Sequence, residues 1–155
     1  MKSPMPMEFK VTALRECPVP AEMLLCDTPE KVVDYWRLHI ESEPRFNPEA
    51  ECFAVLFVNT RRRLKGHQLL TIGTKDTLLV SVGEVFRTAV VMSAAGIICT
   101  HSHPSGEPEP SEADIKVTRD LIRAGQLLKI EVLDHVIIGR PNHCSLRELG
   151  YFAAL

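Results

Sequence analysis

Apolar residues recur along this chain with two different periods. After Pro29, the segment EKVVDYWRLHIE spaces Val32, Val33, Trp36 and Ile40 by intervals that put them on one face of a helix. Thr28 and Pro29 read as an N-cap followed by a proline at the first helical position. Pro44 and Pro48 close that helix and open a loop. The segment ECFAVLFVNTRRRLKGHQLLTIGT then holds an apolar run from Phe53 to Val58, a polar turn and a second apolar run. That pattern predicts a β-hairpin. SVGEVFRTAVVMSAAG returns to helical spacing, with Val85, Phe86, Ala89 and Val90 on one stripe and Gly96 as the expected stop.

IICT is short and continuously apolar, as expected of a strand buried on both faces. Ser111 to Leu128 forms an amphipathic helix through Ile115, Val117, Thr118, Leu121, Ile122, Leu127 and Leu128. IEVLDHVIIG predicts another central strand, and SLRELGYF a terminal segment of weaker pattern. Residues 1–28, with Pro4, Pro6, Pro18 and Pro20, read as an N-terminal arm or edge strand built on EFKVTAL. Residues 29–155 read as one domain. Helices and strands alternate without the regular spacing of repeated βαβ units, so the expected fold is an α/β sandwich with a mixed β-sheet flanked by helices. An edge strand at 7–14 would offer itself to a second copy, which makes a homo-oligomer an open expectation.

Composition narrows this picture. A chain of 155 residues, 45% hydrophobic and 25% charged, can bury a real core without disulfides. A formal net charge of −2 and a pI of about 6.3 give no broad basic face for nucleic acid. The local cluster of Arg61, Arg62, Arg63 and Lys65 falls in the expected hairpin turn and reads as solvated. Five scattered cysteines without a C-x-x-C pair suit a reducing compartment, and Cys52 and Cys99 lie inside apolar runs. The first residues lack the apolar core of a signal peptide, and no apolar run reaches about 18 residues. A cytoplasmic protein is the expectation.

The chemistry concentrates in CTHSHPSGEPEPSEADIKV, Cys99 to Val117. Side chains at i and i+2 of an extended chain share a face, so His101 and His103 converge at a strand end while Ser102 turns away. Pro104 stops the strand. Asp114 lies in the first turn of the next helix, where orphan N–H groups and the helix dipole favour a carboxylate. Folded together, His101, His103 and Asp114 make a two-histidine, one-carboxylate set that leaves a fourth position for water, as in a catalytic zinc site. The site would carry net charge +1 around zinc and lower the pKa of a bound water toward ~7. Each piece has a plainer reading. Ser111-x-x-Asp114 resembles a capping box, and histidines in loops are commonly surface residues. The three requirements met together favour the metal.

The pattern His101-x-His103-x7-Ser111-x2-Asp114 matches the JAMM (MPN+) metalloprotease signature. The longer stretch from Ser81 to Gly139 resembles the RadC branch of that superfamily, with its Glu-Val-Phe-Arg helix, His-x-His-Pro-Ser-Gly loop, Pro-Ser-x-x-Asp step and Leu-Asp-His strand. The resemblance covers roughly residues 30 to 155. It implies a cytidine-deaminase-like JAB/MPN fold, with His101, His103 and Asp114 as zinc ligands and Ser111 as the residue steadying the oxyanion. It also implies a glutamate base at the start of the first hairpin strand, for which Glu51 fits best. Glu49, in a looser segment, and Glu84, with Arg87 one turn on, are the other candidates.

The expected activity is zinc-dependent cleavage of a peptide or isopeptide bond in a peptide or protein substrate. A non-catalytic binding module of the same fold and a DNA-repair-associated protein are the rival readings. Ser102 departs from the asparagine usual in the RadC branch. The residues upstream are too few for the helix-hairpin-helix-like region usual there, and with the acidic net charge this leaves DNA binding no footing. Asp134 and His135 read first as a satisfied core pair and second as partners of a ligating histidine. His39, His67 and His143 show no ligand context and read as surface residues.

Overall fold

A computed structural model of the chain describes residues 24–73 and 80–153. The proline-containing arm and the expected edge strand at 7–14 lie outside the described residues. Helix α1, Pro29–Tyr35, starts as the sequence predicts: the Thr28 side chain accepts from Lys31 N–H and Pro29 takes the first helical position. The helix then widens into a π-helical turn over Trp36–Ile40. Strands β1, Cys52–Val58, and β2, Leu64–Ile72, form the hairpin. In its turn, the Asn59 side chain accepts from Arg61 N–H and Arg63 N–H, and Arg62 adopts φ 60°. The three arginines are exposed there.

Helix α2, Val82–Val91, leads into β3, Gly96–Ser102. Helix α3, Glu112–Leu128, crosses back to β4, Glu131–Ile138, and the short β5, His143–Ser145, completes the sheet. The strand order is β2-β1-β3-β4-β5. Neighbours β3 and β4 run parallel, joined through α3, and the other pairs are antiparallel. This is a mixed α/β sandwich.

Alternation along β1 explains the two layers. Cys52, Ala54, Leu56 and Val58 face a core shared with Val32, Val33, Trp36 and Ile40 of the first helix. Phe53, Val55 and Phe57 face a second core with Val85, Phe86 and Ala89 of α2 and Leu121 and Ile122 of α3. A strand covered on both sides can be apolar throughout, and every residue of β1 is buried. Gly125 lets α3 turn tightly into β4, since a Cβ there would lie 2.5 Å from the Ile130 carbonyl oxygen. No helix among the described residues is long and apolar enough to cross a membrane.

The helical stripes are narrower than the sequence suggests. Val90 is 54% exposed and Leu127 83% exposed. Val90 sits at the margin of its stripe beside the buried Ala89, and Leu127 lies on the side of α3 away from the buried Thr118. Gly96 does not stop α2. Ser93 turns the chain at φ 53°, while Ala94 N–H reaches back to the Ala89 carbonyl. Gly96 instead opens β3, where a Cβ would press to 3.0 Å from the Glu131 carbonyl oxygen. His67 is not a surface residue. Its side chain is 5% exposed, between Tyr35 and Glu43.

Candidate metal centre

Strand β3 carries His101 to the carboxyl end of the parallel pair, beside β4 and over the first turn of α3. His103 follows one residue beyond the strand, its N–H bonded to the Ile138 carbonyl of β4. Ser102, between them, turns to the other side and accepts from Cys52 N–H at 3.1 Å. Gly106 N–H donates to the His103 carbonyl, so the Pro-Ser-Gly loop folds back on the histidine. The Ser111 side chain accepts from Asp114 N–H at 3.1 Å, and Ser111 N–H donates to Asp114 Oδ2 at 2.9 Å. This reciprocal cap starts α3 and fixes the Asp114 carboxylate toward the strand end.

Three side chains meet as a result. His101 Nε2 and His103 Nε2 lie 3.0 Å apart, with Asp114 Oδ1 3.3 Å from the first and Oδ2 3.2 Å from the second. A four-coordinate zinc with bonds of about 2.0–2.1 Å separates its ligand atoms by about 3.3 Å. The donor set and its spacing therefore fit zinc, and among the described residues this is the group of His, Cys, Asp and Glu side chains that could hold a metal ion.

The β1–β3 register explains how Glu51 reaches the same place. Phe53 pairs with His101, so the antiparallel sequence puts Glu51 opposite His103. Glu51 Oε1 lies 4.0 Å from His103 Nε2, and the Glu51 carbonyl accepts from Gly73 N–H. Glu49 is exposed in the preceding turn, and Glu84 sits in the capped first turn of α2. A hollow beside His103 is lined by Phe46, Pro48, Pro104 and Ile138, with the Glu41–Arg140 ion pair at 2.9 Å in its wall.

A model of the RadC-like JAB domain matches residues 26–151. The chain belongs to that family. A UPF0758 protein of Bacillus cereus (strain G9842) is 44% identical over 113 residues, covering 73% of this chain and 50% of the relative. A UPF0758 protein of Syntrophomonas wolfei subsp. wolfei (strain DSM 2245B / Goettingen) is 44% identical over 123 residues, 79% of this chain and 52% of the relative. One from Chloroflexus aggregans (strain MD-66 / DSM 9485) is 46% identical over 102 residues, 66% and 44% respectively. The chain spans about half the length of the curated relatives it matches.

Electrostatics in this RadC-like JAB domain follow from the cluster's partial burial. Burial alone would raise the Asp114 carboxyl, but hydrogen bonding to His101, His103 and the Ser111 N–H holds it well below the usual carboxylate range. Burial likewise works against a charged His103, yet the Asp114 carboxylate, the Glu107 carbonyl and the Glu51 charge raise it above an ordinary histidine. Burial keeps His135 well below that value, and His101 adds to the effect.

Asp134 and His135 are both buried and hydrogen-bonded, but they part company across the strand. The Asp134 carboxylate accepts from Ser145 Oγ at 2.6 Å and Arg147 N–H at 3.1 Å, tying the terminal turn to β4. His135 faces His101 instead. Three neighbours of the site escape a reading of residue types. Thr118 passes for one more position of a helical stripe, the Glu107 carbonyl that meets His103 Nδ1 at 2.8 Å is main chain, and Phe53 stacks on His101 from inside an apolar run. The signal for the first was His135 itself, a polar residue in an otherwise apolar strand.

Proposed function

We propose that this RadC-like JAB domain is a zinc-dependent hydrolase that cleaves a peptide or isopeptide bond. The observation that carries the reading is the convergence of His101 Nε2, His103 Nε2 and the Asp114 carboxylate at 3.0–3.3 Å, with a fourth group, Glu51, 4.0 Å from one of them. His101, His103 and Asp114 would hold the ion. Bound there, zinc would acidify a water and polarise the scissile carbonyl. Glu51 is the base: its carboxylate takes a proton from the attacking water as the oxygen adds to the carbonyl carbon. It then returns that proton to the amine nitrogen as the C–N bond breaks. Ser111 Oγ accepts from Asp114 N–H, so its hydroxyl proton is available to the oxyanion of the tetrahedral intermediate. The hollow beside His103 offers apolar walls and one ion pair to the substrate chain flanking the bond.

The test joins metal content to turnover. The purified chain should hold one zinc by elemental analysis without chelators, and Glu51→Gln should keep the zinc. Against a library of peptides and isopeptides, Glu51→Gln should lose about 100- to 10,000-fold in rate, the usual weight of a general base. Background cleavage by both proteins would favour a binding module, and a wild type without zinc would remove the metal reading.

A further inference from the structure

We propose that His135 is a positioning residue that fixes the tautomer of His101 through a directed hydrogen-bond chain ending on the main chain of Asp114. The inference rests on the metal reading above and adds a residue to it. A neutral imidazole has one N–H and one lone pair, so it can offer a lone pair to a metal through Nε2 only if Nδ1 carries the proton. His101 Nε2 faces His103 and Asp114. Its Nδ1 lies 2.7 Å from His135 Nε2, which therefore has to accept.

The other end of the chain sets that direction. Thr118 Oγ1 lies 2.7 Å from the Asp114 carbonyl oxygen, a group that can only accept, so the threonine proton is spent there. The threonine oxygen then accepts from His135 Nδ1, 2.6 Å away. With its proton on Nδ1, His135 presents a bare Nε2 to His101. Each polarity follows from the one before it. Thr118 is 1% exposed and both histidines are fully buried, so water does not replace a member of the chain. Phe53 closes the space further, stacked on His101 with ring centroids 6.2 Å apart and edge-on to His135 at 5.7 Å.

The chain is also a ring. It leaves His101 on β3, crosses to His135 on β4, passes to Thr118 on α3 and returns to Asp114, whose carboxylate lies 3.3 Å from His101 Nε2. Asp114 thus supplies one candidate ligand with its side chain and orients another with its carbonyl. His103 needs no such device, because its Nδ1 meets the Glu107 carbonyl directly.

Two measurements test the assignment. In the metal-free protein, long-range proton–nitrogen correlations of the histidine rings should show His135 protonated on Nδ1 and bare on Nε2. A proton on His135 Nε2 would overturn the inference whether or not zinc binds. In the second, zinc affinity is read by competition with a chromophoric chelator. His135→Leu, which removes the acceptor, should weaken binding about 10- to 100-fold. His135→Gln, whose amide oxygen can stand near the place of Nε2, should restore most of it. Thr118→Val and Thr118→Ser form a second pair should His135→Leu not fold: valine should weaken zinc binding and scramble the His135 tautomer, and serine should do neither. Equal zinc affinity in wild type, His135→Leu and Thr118→Val would overturn the inference and leave the metal centre standing. A wild type that binds no zinc would remove the metal centre, with the His135 tautomer still deciding the chain.

Discussion

Each face of the sheet buries a histidine bonded at both ring nitrogens, and the two are used up to different degrees. On the α1 face, His67 Nε2 meets Glu43 at 2.5 Å and His67 Nδ1 meets the Tyr35 hydroxyl at 2.5 Å. Glu43 accepts, so His67 donates through Nε2, and the Nδ1 of the neutral ring accepts from the Tyr35 hydroxyl. On the α3 face, His101 is bonded through Nδ1 to His135, while its Nε2 meets His103 Nε2 and the Asp114 carboxylate. One histidine is closed by its partners. The other points a nitrogen at two groups that themselves have lone pairs to share. Burial and a full set of neighbours are common to both, so neither marks a metal site. What marks it is the convergence of lone pairs from three residues on one point.

The comparison breaks most sharply under substitution. Asp114→Asn keeps an oxygen to accept from Ser111 N–H, so the start of α3 should survive while a charged ligand is lost. Zinc affinity should fall by at least about 100-fold, beyond the range of groups that only orient a ligand. His67→Leu should do the reverse. It leaves the Tyr35 hydroxyl and Glu43 without their shared partner and should cost about 1–3 kcal/mol of stability, read from a denaturant midpoint, at unchanged zinc affinity. Loss of zinc in His67→Leu would mean that the two faces are not independent.

This contrast also explains what the sequence could and could not show. His101, His103, Ser111 and Asp114 were legible because local geometry brings them together: two residues share a strand face, and a cap aims the third. Glu51 came from the family resemblance and not from local geometry, since its approach to His103 depends on a long-range pairing that sets Phe53 opposite His101. His67 looked like a surface residue because its partners, Tyr35 and Glu43, arrive from the helix and loop packed over β2. The sheet was legible from apolar runs, since strands covered on both faces have few polar residues. The ends of the helical stripes were not. Val90 falls at the margin of its stripe and Leu127 on the side of α3 away from the buried Thr118, and both stay exposed.

A second, graded difference lies in pH. His103 is raised above an ordinary histidine, with Asp114 ionised beside it. In the metal-free protein, their attraction contributes fully below about pH 6.5, the ordinary histidine value, and fades as pH rises through the raised one. Zinc requires the neutral ring, so its binding has the opposite sign and improves as pH rises through that range. Below the raised value, affinity should fall as pH falls, because a proton on His103 competes with the ion. Asp114 remains ionised throughout this window and adds no slope. Zinc affinity that stays constant as pH falls through this range would contradict the account of His103.

The smallest effect separates the two duties of Ser111. As N-cap of α3 its side chain accepts from Asp114 N–H at 3.1 Å, and its own N–H holds Asp114 Oδ2. Ser111→Ala removes the first bond and keeps the second, so the carboxylate stays aimed at the histidines. Stability should fall by about 0.5–2 kcal/mol, the usual weight of a cap, and zinc affinity should change little. Ser111→Asp offers a side-chain acceptor to Asp114 N–H again but no hydroxyl proton. If Ser111 also steadies an oxyanion, the aspartate variant should recover stability and remain slow in turnover. Recovery of both would reduce Ser111 to a cap, and recovery of stability alone would separate the start of the helix from the chemistry at its end.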